Sequence, residues 1–215
     1  MALRDDYLEN PAKRVKLRIR RLLRRELPLS TIYLARFLIG KTIVREISGA
    51  RLAGRIVETE AYLTGDAACH AFRGQTPRNK SLFLGPGHAY VYFIYGSSFM
   101  LNVSSVKAGV GEGVLLRAAE PLEGIDVMQR YRGTDRLVDL ARGPGRLAEA
   151  FDIDRSLDGV DLCSRGPLWL GTSVREPARI GESVRIGINV DADRVLRFYE
   201  RGSPFISGTR KLNVS

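Results

Sequence analysis

Residues 89–105 read AYVYFI-YGSS-FMLNVSS, two runs of aromatic and β-branched residues that meet at Tyr95-Gly96. Such residues suit a pleated strand, and so short a connection joins strands only as an antiparallel hairpin. The same signature recurs along the chain. TIVREI (42–47) and GRIVETEAYL (54–63) flank the turn-like SGARLAG, GVLLRAAEP (113–121) follows, and VRIGINV (184–190) and VLRFYE (195–200) read as late strands before the turn RGSPF. Helical periodicity replaces this pattern in LSTIYLARFLIGK, where Ser30 or Thr31 can cap and Gly40 suits the stop. LEGIDVMQRYRG and GPGRLAEAFDI also read as helices. With no repeat or linker after residue 28, and 215 residues in all, the expectation is one mixed α+β domain over 28–215.

The first 27 residues stand apart. KRVKLRIRRLLRRE (13–26) holds eight basic residues, with Val15, Ile19, Leu22 and Leu23 at roughly helical spacing. It reads as a basic amphipathic arm for phosphates or a membrane surface, or as a solvated helix or tail. Asp5, Asp6 and Glu9 argue against an organelle presequence. The whole chain has 34 Lys and Arg against 24 Asp and Glu, a formal net charge of +10 that points to a polyanionic partner. No apolar run approaches a membrane span, and no secretory signal opens the chain, so a reducing, cytoplasmic setting is expected. Cys69 and Cys163, with only His70 and His88, offer neither a disulfide framework nor zinc spacing.

The chemistry concentrates in RIVETEAYLTGDAACHAF (55–72). Strand alternation puts Ile56, Glu58, Glu60 and Tyr62 on one face and Val57, Thr59 and Ala61 on the other. A carboxylate in such a run needs water, a cation or a substrate, because an unpaired buried charge is costly. An edge strand with a glutamate–arginine pair would satisfy that need without any catalysis. Tyr90, Tyr92, Phe93 and Tyr95, with Arg78 nearby in the GQTPRN loop, suit either stacking on bases or a tyrosine-rich core. Asn102 and Arg117 are polar residues inside strands.

Six segments then align in order. VETEAYLTGDAACHAFRGQTPRN, YVYFIYG, LNVSS, VLLRAAEPLEG, RGPGRLAEAF and LRFYERGSPFIS closely resemble the alkyladenine (3-methyladenine) DNA glycosylase family, from about Leu29 to Ser207. The resemblance implies a curved, largely antiparallel sheet flanked by helices, with the hairpin protruding. It implies a monomeric, monofunctional enzyme of base-excision repair that flips alkylated or deaminated purines out of double-stranded DNA and hydrolyses the N-glycosidic bond. Glu60 matches the general base that activates water, and Glu58 is left as a structural partner. Tyr62, His70 and Tyr92 match the residues that sandwich the flipped base. Asn102 matches a position that disfavours the 2-amino group of guanine, and Leu115 and Arg117 match the pocket floor. Tyr95 matches the side chain that fills the gap in the duplex, and Arg78 is assigned to the DNA backbone. Ser97 and Ser98 depart from the bulkier residues common there. No metal, no organic cofactor and no lysine nucleophile are implied. A non-catalytic damaged-DNA-binding protein on the same scaffold, and a two-carboxylate carbohydrate hydrolase, are the competing readings.

Overall fold

The computed structural model describes residues 17–47 and 49–213. One long strand, β2 (Ala50–Tyr62), organises them. Along one edge it pairs with β5 (Gly113–Glu123). Along the other it pairs first with β1 (Thr42–Ile47) and then with β8 (Arg197–Glu200). The hairpin of β3 (Ala89–Ile94) and β4 (Ser98–Ser104) joins through β4 to β5. β6 (Leu168–Gly171) borders β1, and β7 (Ile180–Ser183) borders β8. The eight strands form one sheet in which every pairing is antiparallel. The α+β expectation holds, since among the described residues three α-helices accompany this sheet: α1 (Thr31–Leu38), α2 (Ile125–Arg132) and α3 (Pro144–Ala150).

Strict alternation does not hold along β2, and that departure builds the site. The β2–β5 register slips between Ile56 and Glu58 and slips back between Glu58 and Thr59. Val57 is the extra residue of the first bulge and Arg117 that of the second, and bulges of this kind bend and twist a strand. Before the slip, Leu52 and Ile56 face the main core. After it, Thr59 donates its hydroxyl to the Ala35 carbonyl of α1 at 2.9 Å, and Ala61 joins the core. Ile56 therefore lies opposite the carboxylates rather than beside them, and Val57 packs with Ala118 and Tyr199 on the carboxylate side. A sheet with a dry face and a charged face results, and the helices cover the dry one through Leu34, Leu38, Leu147 and Phe151. At Gly54 the chain comes so near Phe151 that a Cβ would stand 2.7 Å from its ring, which excludes larger residues.

Four further readings are corrected. Residues 17–23 are extended, not helical: Leu22 N–H donates to Leu170 O at 2.9 Å and Thr172 N–H to Arg20 O at 2.8 Å, so this segment edges β6. Leu17, Ile19 and Arg21 fit period two as well as Ile19, Leu22 and Leu23 fit a helix, and an open strand edge decides between them. Arg21 lies over the Trp169 ring at 5.0 Å. The remainder of the expected basic arm, residues 1–16, lies outside the described residues. VRIGINV is a loop, and the late strand is β7 just before it. The turn after β1 is also shorter than SGARLAG suggests, because β2 already begins at Ala50. At the α1 N-terminus neither candidate caps the helix with its side chain; the Thr31 hydroxyl instead meets Ser105 at 2.7 Å.

Candidate active site

Both carboxylates of β2 are fully enclosed, Glu58 and Glu60 each being 0% exposed. Glu58 is saturated. Its Oε1 accepts from Arg117 Nε at 2.9 Å, Arg197 Nε at 2.7 Å and the Ser207 hydroxyl at 2.8 Å, while Oε2 accepts from Ser207 N–H at 2.6 Å. Burial pushes this carboxyl up, but the two guanidinium charges and these hydrogen bonds outweigh burial and hold it below the usual carboxylate range. Glu60 is served more sparingly. Its Oε2 accepts from Tyr62 Oη at 2.9 Å and Arg117 Nη1 at 3.2 Å, and its Oε1 accepts from Ile186 N–H at 2.7 Å. Here burial wins: with Glu58 adding its own repulsion, the Glu60 carboxyl is raised despite Arg117, Ile186 and Tyr62. Two equal side chains two residues apart are thus driven in opposite directions, the pattern by which an acid–base group differs from its support.

Beside Glu60 opens a cavity of about 410 Å³. Tyr62, His70, Tyr92, Tyr95, Asn102, Leu115 and Arg117 all line it. Alternation along β3 and β4 explains how: Val91 and Leu101 enter the core, so Tyr90, Tyr92 and Asn102 turn to the cavity side. The His70 ring meets that of Tyr92 edge-on at 4.4 Å, and its Nδ1 shares a hydrogen bond with Tyr90 Oη at 2.9 Å. Burial and the nearby Arg78 lower the His70 pKa, so the ring is chiefly neutral at pH 7. Tyr62, desolvated and next to Glu60, is raised and remains a donor. Asn102 Nδ2 donates to Tyr90 O at 3.3 Å. Glu60 itself reaches the cavity only through its partners Tyr62, Arg117 and Ile186, which form that part of the wall. Among the described residues, no group of His, Cys, Asp and Glu is arranged to hold a metal ion.

Tyr95 projects from the turn between β3 and β4 and is 78% exposed. It and Gly96 have φ of 57° and 68°, and the positive angles at both central residues match the tight hairpin turn that follows strand twist. Tyrosine is an uncommon residue at such a left-handed turn position, and here its side chain stands at a solvent-facing tip.

A family model for methylpurine-DNA glycosylase (MPG) matches residues 26–204. The chain belongs to that family. It is accordingly a DNA glycosylase, a hydrolase of DNA repair. A protein of Mesorhizobium japonicum is 64% identical over 189 residues, which cover 88% of this chain and 91% of the relative. One from Paraburkholderia phytofirmans is 53% identical over 194 residues, covering 90% and 91%, and one from Chlorobium phaeovibrioides 48% over 182, covering 83% and 92%. All three are provisionally named 3-methyladenine DNA glycosylases.

Around the glycosylase's cavity stand residues that the sequence did not single out. Arg197 sits behind Glu58, and besides that carboxylate it reaches Ser183 Oγ, Leu212 O, Ser207 O and Asn213 Oδ1 at 2.8–3.1 Å. Ile186, Gly187 and Ile188, read as strand, are cavity wall instead. An arginine in the β-run VLRFYE was the available signal for the first; nothing in VRIGINV marks the second. Arg78 is not in the cavity wall. Its Nη2 donates to Phe93 O at 3.1 Å, which ties an exposed cation to the protruding hairpin. Ser98 is paired with Ile94 at the hairpin end, and a Cβ on Gly145 of α3 would stand only 3.0 Å from its Oγ, so small residues on both sides let hairpin and helix approach.

Proposed function

We propose that this glycosylase acts as a monomer on double-stranded DNA, extrudes an alkylated or deaminated purine into the 410 Å³ cavity, and hydrolyses its N-glycosidic bond with water activated by Glu60. The observation that carries the reading is the raised Glu60 carboxyl placed against an aromatic-lined cavity, with Arg117, Tyr62 and the Ile186 amide as its partners. A base works best with a pKa moved toward the working pH, and burial moves Glu60 that way. As the C1′–N bond breaks, its electron pair leaves with the purine and positive charge grows on the sugar, which the Glu60 carboxylate stabilises. Water oxygen bonds to C1′ and its proton passes to Glu60. A purine already made cationic by alkylation departs as a neutral base without an acid. A deaminated purine departs as an anion and takes its proton from solvent water, since Glu58 is an ionised carboxylate engaged by two arginines.

The remaining residues are given roles that their positions support. Tyr62, His70 and Tyr92 offer ring faces and edges to the extruded base, each stacked base being worth roughly 1–3 kcal/mol. Asn102 meets the base edge and discriminates against the guanine amino group, with Leu115 and Arg117 as the floor. Tyr95 fills the gap in the duplex and offsets part of an unstacking cost of a few kcal/mol per step, a magnitude general to such wedges. Arg78 contacts the backbone.

The test uses duplexes with a central hypoxanthine, and methylated genomic DNA, incubated with wild type or Glu60→Gln. Base release by wild type alone, with damaged-duplex binding kept by the variant, is expected. Release by both would remove Glu60 from the chemistry. Binding without release by wild type would favour the non-catalytic reading.

A further inference from the structure

Arg185 is enclosed at the back of the cavity and pairs with neither Glu58 nor Glu60 among the described residues. Its guanidinium grips Asp66 with both terminal nitrogens, Nη2 reaching Oδ1 at 2.9 Å, and Nη1 also donates to Ala61 O at 3.3 Å. The central carbon of the same group lies over the Tyr62 ring, 4.7 Å from its centre. A second tie comes from Asp191, whose carboxylate accepts Ala67 N–H at 2.8 Å and whose carbonyl accepts Arg185 Nη2 at 3.3 Å.

What this arrangement holds in place is specific. The next residue is Ile186, whose N–H meets Glu60 at 2.7 Å, and Tyr62, beneath the guanidinium, donates to the same carboxylate at 2.9 Å. Residues 184–190 have no strand ladder to fix them, so the height of the Ile186 amide depends on side-chain ties. Only a planar, forked cation can be bidentate to Asp66 and lie over Tyr62 at once.

We propose that Arg185, locked by Asp66, is a positioning residue for base excision that aims the Ile186 N–H and the Tyr62 hydroxyl at Glu60. The proposal rests on Glu60 being the general base.

The pair Asp66→Asn/Arg185→Met leaves the net charge unchanged. Because Arg185 also attracts Glu60 through its charge, Arg185→Lys, which keeps the cation without the fork, is titrated beside it to separate lost hydrogen bonds from lost charge. The groups that otherwise set the Glu60 titration, namely Arg117, Glu58, Tyr62 and Tyr92, stay in place. Carbon-13 NMR titration of Glu60, assigned against Glu60→Gln, needs no substrate. The Glu60 pKa should move further up in the double variant. Single-turnover release of hypoxanthine and of 7-methylguanine from duplexes should fall by about tenfold to a hundredfold, as a displaced hydrogen bond to a reacting group does, while duplex Kd changes by less than about twofold. A folded double variant with Glu60 titrating as in wild type, and release within about twofold of it, overturns the proposal. Should that protein not fold, Arg185→Lys keeps the charge but not the fork: intermediate values in both readouts support the proposal and wild-type values in both refute it. Wild type releasing neither base sinks the functional reading instead, and the NMR titration still decides on Arg185.

Discussion

Glu58→Gln is the substitution on which the support network can be judged. The side chain keeps its shape but loses its charge, and its amide nitrogen must confront a donor, either Ser207 N–H or the Nε groups of Arg117 and Arg197. Removing one member of a buried ion pair costs about 3–5 kcal/mol, chiefly from the charge left behind. Arg197 retains four other oxygen acceptors and Arg117 retains Glu60 and Ser207, which places the loss at the lower end, about 3 kcal/mol. For a domain of this size each kcal/mol lowers Tm by about 2–4 °C, so a fall of about 6–12 °C is expected by calorimetry at pH 7. The sign with pH follows from the lowered Glu58 pKa: its stabilisation is present above the unfolded carboxyl value and is lost as pH drops through the folded one. The gap in Tm between wild type and variant therefore closes in acid. Activity supplies an independent check. Glu58 repels Glu60, so removing its charge leaves Arg117 to Glu60 alone, and the acid limb of the single-turnover rate moves to lower pH. A variant that melts with wild type and keeps the same acid limb would refute the network as described.

Other outcomes follow from the same geometry. In wild type the acid limb of base release should lie above the ordinary glutamate range, because burial raises Glu60, and it should be absent from any residual rate of Glu60→Gln; a pH–rate profile decides. Tyr95→Ala removes an exposed side chain that packs on little, so stability should stay within about 0.5 kcal/mol while excision from duplex DNA drops at least about tenfold in gel-resolved single turnovers. Arg78→Ala should weaken duplex binding similarly for all sequences and reduce the slope of log K against log salt by about 1, measured by fluorescence anisotropy. Leu22 is 1% exposed, so Leu22→Ala should cost about 2–5 kcal/mol in urea unfolding, whereas a detached arm would show no change.

Much of this architecture could be read from sequence because its signals are local. The tyrosine–glycine bend, the β-branched runs other than VRIGINV and the apolar period of 31–38 each depend on neighbours a few residues away, and each produced the expected element. The residues that the ordered motifs assigned to a base pocket, from Tyr62 to Arg117, line one cavity, and their roles stand as the proposal above. Three things were not legible. The side of the sheet taken by Ile56 depends on a bulge between β2 and β5, whose strands are some sixty residues apart in the chain. The conformation of 17–23 depends on an unpaired edge at β6 that no local pattern announces. VRIGINV has the composition of a strand, yet its amide is spent on Glu60 and its arginine on Asp66, so tertiary contacts override propensity.

The two bulges flanking the Glu58–Ala118 pair cancel. Val57 adds one residue to β2 and Arg117 adds one to β5, so the ladders before and after run in the same register. The placement of Glu58 and Glu60 is therefore written partly in chain length. A single-codon deletion at Thr59 would turn the Glu60 position toward the apolar layer, a change more severe than any substitution there. Loss of either extra residue alone would throw the following ladder out of step. Gene variants that shorten one strand should survive selection only when the other shortens too, a correlation of gaps that substitution-based comparison would miss.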